Sequence, residues 1–211
     1  MMGDTKALQA GTSHNLGQNF AKAFDIKYLD QNNTLQYCWT TSWGLSTRFI
    51  GAIIMTHGDD NGLILPPRLA PYQIVIVPIF KTDEERSAVM EYVSKVQAQL
   101  KGFRVKLDDR TEVTPGFKYH EWELRGVPLR LEIGPKDVEK QAVMAARRDM
   151  PGKAGKKSLG LENLADQVGA LLDEIQAAML KKATDFRDAN IHQADSYDEL
   201  KQIVENGWAE A

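Results

Sequence analysis

The run Gln73-Ile74-Val75-Ile76-Val77-Pro78-Ile79 is β-branched at almost every position. No other feature constrains the fold as much, because such a run predicts a strand covered on both faces, inside a sheet. Behind it, Thr82-Asp83-Glu84-Glu85 has the spacing of a capping box. It opens a helix with Val89, Val93, Val96 and Leu100 on one face, stopped at Gly102. Phe103 to Leu107 is a second strand, and strand, helix, strand in this order implies a parallel crossover. Pro128 to Ile133 reads as a third strand. Gln141 to Ala146 reads as a fourth, although its pattern suits a helix equally. Leu161, Leu164, Val168, Leu171, Leu172, Ile175 and Met179 carry the strongest helical period in the chain. Ser196-Tyr197-Asp198-Glu199 is a further capping box, opening a helix with Leu200, Ile203 and Val204 inward.

Upstream of this region, Pro66-Pro67-Arg68-Leu69-Ala70-Pro71 places three prolines in six residues, the best domain boundary in the chain. Before it, Lys6 to Ser13 reads as a short strand, and Asn15 to Phe24 as a helix with Leu16, Phe20 and Ala23 on one side. Ile26 to Leu29 and Leu35 to Thr41 flank Asp30-Gln31-Asn32-Asn33 as a hairpin. Trp43-Gly44 reads as a break, after which Ser46 or Thr47 caps a helix running to about His57. Phe49, Ile50, Ile53 and Ile54 make that helix apolar on most of its surface, so it is expected to be buried. Leu63 to Leu65 reads as a short strand, and Pro151 to Lys157 as a Gly/Lys-rich loop.

Composition narrows the functional classes. With 43% apolar and 26% charged residues, the chain has enough material for one or two cores. No apolar run approaches the roughly 20 residues of a membrane helix, and Met1 to Lys6 does not lead into a signal peptide. A cytosolic protein without a membrane partner is expected. The single cysteine, Cys38, cannot form an internal disulfide, and the scattered histidines suggest no zinc site. The net charge of −3 is unevenly spread, since residues 101–157 hold fourteen Lys and Arg against nine Asp and Glu, and residues 158–211 hold four against eleven. Basic residues interleaved with Phe117, Tyr119 and Trp122 suit RNA, through phosphate contacts and base stacking, although a solvated charged surface has the same composition. A small nucleotide-binding α/β enzyme fits poorly. Pro78-Ile79-Phe80-Lys81-Thr82 has no glycine where a phosphate loop would be needed.

Two segments could carry chemistry. In Gln9-Ala10-Gly11-Thr12-Ser13-His14, small residues allow close backbone approach to a ligand, while Gln9, Thr12 and His14 supply polar groups without fixed charge. A plain capped turn is the alternative. In Thr41 to Arg48, an arginine enters the first turn of a helix, against the helix dipole. Burying it there is costly unless it meets an anion. A surface salt bridge is the alternative.

Lys6 to His14, Leu16-Gly17-Gln18-Asn19-Phe20 and Ser42-Trp43-Gly44-Leu45-Ser46-Thr47-Arg48-Phe49-Ile50-Gly51-Ala52 resemble the later catalytic region of prolyl-tRNA synthetases. The likeness continues through His57-Gly58-Asp59-Asp60 and Gly62 to Arg68. Beyond these it takes in Asp109-Arg110, Pro115-Gly116-Phe117-Lys118, Trp122-Glu123 and Gly126 to Asp137. It covers nearly the whole chain and is closest to the branch shared by archaea, eukaryotes and some bacteria.

The resemblance implies the C-terminal portion of such a synthetase, of mixed α+β and α/β class. Residues 1–65 would end a class II catalytic core built on an antiparallel sheet, and 66–71 would be the proline-rich linker. Residues 72–190 would form a mixed-sheet α/β anticodon-binding domain, and 191–211 the start of a truncated C-terminal domain. By that analogy Ser42 to Ala52 is the third class II motif. Arg48, Ser46 and Thr12 then meet ATP, Gln9 meets ATP or its magnesium, and His14 meets proline. Phe117, Lys118, Glu121 and Arg147 are the expected anticodon contacts, at strand ends and adjoining loops. No nucleophile or acid–base residue is implied. The partners implied are proline tRNA, proline and ATP, with a homodimer for the full-length protein and no DNA. The family's first two motifs have no counterpart here, so the chain in isolation is expected to be inactive as a proline-tRNA ligase. The other reading is a stand-alone tRNA-binding accessory module derived from a synthetase.

Overall fold

The computed structural model describes residues 1–205 and 207–210. Asn206 and Ala211, in the expected final segment, lie outside them. The N-terminal unit is built on an antiparallel pair, β1 (Gly11–Gly17) against a later strand β4 (Thr40–Leu45), with Thr12 opposite Gly44 and His14 opposite Ser42. Between them come α1 (Asn19–Ala23) and a hairpin of β2 (Lys27–Leu29) and β3 (Leu35–Tyr37). The hairpin turn forms because Asp30 Oδ1 accepts from the amides of Asn32 and Thr34, at 2.8 and 2.9 Å. The helix α2 (Arg48–His57) follows β4.

Three expectations for this unit are corrected. The strand lies at Gly11–Gly17 rather than Lys6 to Ser13, and the helix begins only at Asn19. Pairing with β4 recruits Asn15 to Gly17 into the sheet, overriding their helical spacing. Trp43 and Gly44 do not end the strand, since both lie within β4. Most consequentially, α2 forms where expected but none of its residues is buried, and Ile50 is 63% exposed. The second half of α2 touches the helix over Leu164–Ala189, with Ile53 partly covered, but Ile50 and Ile54 stay exposed.

Leu63 to Leu65 is not a regular strand. Its amides nonetheless reach across to the second unit, Leu63 N–H to the carbonyl of Leu124 at 3.0 Å and Leu65 N–H to that of Gly126 at 3.2 Å. The proline segment that follows is pinned rather than loose. Arg104 donates to the carbonyls of Ala70 and Pro67, at 3.0 and 2.9 Å.

The second unit is a five-stranded mixed sheet. Its members are β5 (Ile74–Pro78), β6 (Val105–Leu107), β7 (Leu129–Ile133), β8 (Ala142–Arg147) and β9 (Lys156–Gly160). The order is β6-β5-β7-β8-β9, with β5 parallel to both neighbours and β8 antiparallel to β7 and β9. The predicted helix α3 (Asp83–Gln99) makes the crossover, and Thr82 Oγ1 accepts from the Glu85 amide as its cap. Two helices unread in the sequence follow, α4 (Pro115–Leu124) and α5 (Pro135–Glu139). The Gly/Lys-rich loop already enters β9 at Lys156. The long helix α6 (Leu164–Ala189) packs its apolar stripe on the sheet beside α3. A parallel pair of β10 (Ile191–Gln193) and β11 (Trp208–Glu210), with α7 (Tyr197–Val204), completes the described chain.

Every residue of β5 is buried, as its β-branched run requires. Alternation then sends Ile74 and Ile76 into the main core under α3 and α6. Val75 and Val77 face α4, against Trp122 and Val127. The fold is thus an antiparallel strand pair with its helix, followed by a mixed-sheet α/β unit, as the resemblance implied.

Candidate functional site

Gln9, Thr12, His14, Ser46 and Arg48 line one open cleft of about 380 Å³, with Gly11, Ser42 and Gly44. The β1–β4 register explains the grouping. Residues two apart on a strand share a face, and directly paired residues share it with their partners, so Thr12, His14, Ser42 and Gly44 project together. A Cβ at Gly44 would meet no protein atom within 4 Å, so the glycine leaves that face open to a ligand. Arg48 Nη1 donates to Gln9 Oε1 at 3.1 Å, tying the start of α2 to the segment before β1. The Arg48 amide donates to Ser46 Oγ at 3.3 Å, so Ser46, not Thr47, serves the first turn.

The premise that Arg48 is buried is overturned, because it is exposed, as are Phe49 and Ile50 in the first turn of α2. Its position against Gln9 is independent of that premise. Among the described residues Arg48 forms no ion pair with a carboxylate, and the cleft lining contains none. The cleft is therefore neutral to cationic. A triphosphate fits such a donor set, with one guanidinium, hydroxyls and a helix N-terminus. Magnesium does not fit as a resident ion. Its sites are built from carboxylates together with substrate phosphates, and here the lining offers only the Gln9 carbonyl among amide side chains. No step is routed through it.

The second candidate region centres on α4, a helix rather than the strand ends and loops expected. Thr114 Oγ1 caps it by accepting from the Phe117 amide, and Phe117 is 55% exposed in the first turn, free to stack on a base. Lys118 differs from expectation. The residue is 3% exposed, with Nζ donating to the Asp108 carbonyl at 3.0 Å. Glu121 accepts from Arg110 at 2.7 Å and pairs with Arg125. Both residues thus first support the loop after β6. The anchor there is Asp108, which accepts from Arg110 and from Trp122 Nε1, each at 2.7 Å. Burial alone would push the Asp108 carboxyl up, but the hydrogen bonds from Arg110 and Trp122 and the charge of Lys118 outweigh it and hold it at about 2. Burial draws the Lys118 amine down.

Arg147 is not brought together with Phe117, Lys118 and Glu121, although it lines a small crevice with Trp122. It ends β8, three strands from β6, or roughly 14 Å at normal strand spacing, and on the α6 side of the sheet. It is buried and held by Asp149 and by Glu174 of α6. Sequence reasoning missed Asp108, Arg110 and Trp122 as a unit. The Asp108-Asp109-Arg110 run and the indole fourteen residues after Asp108 were its only signal.

Comparison with known proteins fixes what this arrangement is related to. Residues 73–171 match the "Anticodon binding domain" family. A proline-tRNA ligase of Roseiflexus sp. is 61% identical over 99% of this chain and 44% of its own length. The chloroplastic/mitochondrial proline-tRNA ligase of Arabidopsis thaliana is 55% identical over 99% of this chain and 40% of its own. A crystal structure of prolyl-tRNA synthetase from Cryptosporidium parvum, complexed with L-proline and AMP, superposes with a TM-score of 0.85 at 42% identity. It covers 96% of this chain and 43% of that one. A mixed α/β unit of this kind after an antiparallel strand pair defines the class, class II aminoacyl-tRNA synthetases with an anticodon-binding domain. Within that class, the chain belongs to the prolyl-tRNA synthetase family. It spans less than half the length of the relatives it matches. Among the described residues no helix is long and apolar enough to cross a membrane.

Proposed function

We infer that the chain supplies one wall of an ATP and proline site together with a tRNA-reading unit, for the ATP-dependent joining of proline to its tRNA. The single observation that carries this reading is the cleft itself. Gln9, Thr12, His14, Ser46 and Arg48 come from β1, α2 and the segments leading into them, and converge on one opening whose only fixed charge is positive. In this role Arg48 neutralises phosphate charge, while Gln9 and Ser46 hold its guanidinium and amide in place. Thr12 and Ser46 offer hydroxyls to the nucleotide, and His14, two residues along β1, offers a ring nitrogen to the proline. Any magnesium would arrive on ATP, with the Gln9 side-chain carbonyl as the oxygen ligand the cleft could offer it. The reaction, attack of the proline carboxylate on the α-phosphate and then transfer of prolyl to the tRNA ribose, needs positioning and charge neutralisation rather than a protein nucleophile. The set of groups in the cleft suits that demand.

In the second unit, Phe117 provides the stacking surface for an unstacked anticodon base. Glu121 and Lys118 act at one remove, by holding the loop that flanks it. Arg147 contributes through the Asp149 and Glu174 pairs it organises.

The whole enzyme is a homodimer in this reading, and the chain alone lacks the opposing half of the ATP site. Proline-dependent ATP–pyrophosphate exchange tests it. The chain alone should show none, and the chain combined with the N-terminal half of a close relative should show exchange that Arg48→Ala abolishes. Exchange by the chain alone, or restored exchange indifferent to Arg48→Ala, refutes the assignment. A stand-alone tRNA-binding module without catalysis is favoured by one observation: the main core closes entirely within residues 64–179, while α2 contributes no fully buried residue. Failure of complementation with retained tRNA binding would select that reading.

A further inference from the structure

We propose that Asp59 and Arg148, with Gly62 and Gly126, form a rigid joint that fixes the direction of α4 relative to α2, and so of the base-stacking Phe117 relative to Arg48. Asp59 lies two residues beyond α2, whose end is closed by the Gly58 amide donating to the Ile54 carbonyl at 2.8 Å. Arg148 follows β8, and its side chain is 3% exposed. It grips both oxygens of Asp59, at 2.8 and 2.5 Å, while its Nε donates to the Glu123 carbonyl at 3.0 Å. One planar guanidinium therefore holds the connector after α2 and the last turn of α4 at once.

The other bonds across the joint meet the same need. A helix leaves its last carbonyls without intrahelical partners. At the end of α4, Glu123 gives its carbonyl to Arg148 and Leu124 to the Leu63 amide, and just beyond, Gly126 accepts from Leu65. A cation at a helix C-terminus is also favoured by the helix dipole. The two strands of contact approach so closely that neither side tolerates a side chain. A Cβ on Gly62 (φ +124°) would lie 2.6 Å from Leu124, and one on Gly126 (φ +73°) would lie 2.6 Å from Leu63. Beside the joint the packing is loose, because a cavity of about 460 Å³, lined by Met55, His57, Gly58, Asp149, Met179 and Phe186, lies between α2 and α6 and limits their contact. Orientation is thus carried by the joint rather than by general packing. Two stiff ten-residue helices, each about 15 Å long, meet there end to end.

The meaning of the joint for decoding rests on the function proposed above, but its rigidity does not, and the experiment separates the two. With the native cysteine removed by Cys38→Ser, spin labels go on Ile50→Cys of α2 and His120→Cys of α4, both exposed. Pulsed electron–electron resonance then reads the distance between them. One narrow distribution is expected, broadening at least twofold in Arg148→Met and in Gly62→Ala with the far-ultraviolet circular dichroism unchanged. Should Arg148→Met unfold, Arg148→Lys replaces it, because it keeps a positive charge opposite Asp59 while losing the planar fork that grips Asp59 and the Glu123 carbonyl together. A broad distribution in the parent, or equal widths in parent and variants, overturns the proposal. In a second arm, proline tRNA should bind parent and Arg148→Met within about threefold of each other, since Phe117 is untouched. No binding by either would sink the tRNA reading while the distance widths still decide the joint, and binding lost in the variant alone would show that Arg148 serves the RNA surface itself.

Discussion

The two units of this chain solve the burial problem differently. In the anticodon-binding unit the β-branched strand β5 is sealed on both faces, by α3 and α6 on one side and α4 on the other. In the N-terminal unit an equally apolar helix, α2, leaves Ile50 and Ile54 in water. An apolar pattern therefore reports that a face must be covered, not that this stretch of chain covers it. The sealed unit carries its own stability. The open one has its polar groups arranged on one side and an apolar face left over on the other.

The sharpest way to break that contrast is a matched pair of truncations. Ile76→Ala, in the sealed core, should cost about 2–5 kcal/mol, and Ile50→Ala, on α2, within about 0.5 kcal/mol of nothing, both read by urea unfolding. Equal losses would mean that α2 is covered after all. Next in size is an acid response in the sealed unit, centred on Asp108. The carboxyl of Asp108 is held at about 2 against an ordinary 3.8, so on acidification the unfolded chain takes up the proton first. The stability this group supplies is complete above about pH 4 and is lost as pH falls toward 2, a matter of ~2 kcal/mol. Asp108→Asn should flatten that part of the pH–stability profile. Smaller again is the cap of α4: Thr114→Ala should lower the stability of the second unit by about 1 kcal/mol in the same unfolding assay and leave α2 helicity unchanged.

How much of this was legible in the sequence follows the same division. Strand β5, helix α3 and strand β6 could be read because pattern, cap and burial agree. Helix α4 could not. Pro115-Gly116 at its start and Tyr119, His120 and Trp122 within it give weak helical propensity, and what forms it is tertiary, Trp122 reaching Asp108 and Thr114 capping the first turn. The register of β1 was obscured because Leu16, Phe20 and Ala23 share a helical spacing that pairing with β4 overrides. The cleft residues Gln9, Thr12, His14, Ser46 and Arg48 were found through family resemblance, since local pattern fitted a capped turn as well. The surroundings of the expected anticodon contacts were less legible. Lys118 and Arg147 look like free cations in one dimension, but folding commits Lys118 to the Asp108 carbonyl before α4, and Arg147 to Asp149 and to Glu174 on α6.

The account depends most on anticodon-dependent binding through the exposed end of α4. The direct measurement is the affinity of the purified chain for proline tRNA and for an anticodon-altered tRNA, with and without Phe117→Ala, across salt concentrations. Tighter binding of the unaltered tRNA by at least tenfold, lost in Phe117→Ala by about 1–3 kcal/mol, is the expected result. Equal affinity for both tRNAs, with the same salt dependence and no effect of Phe117→Ala, would contradict it.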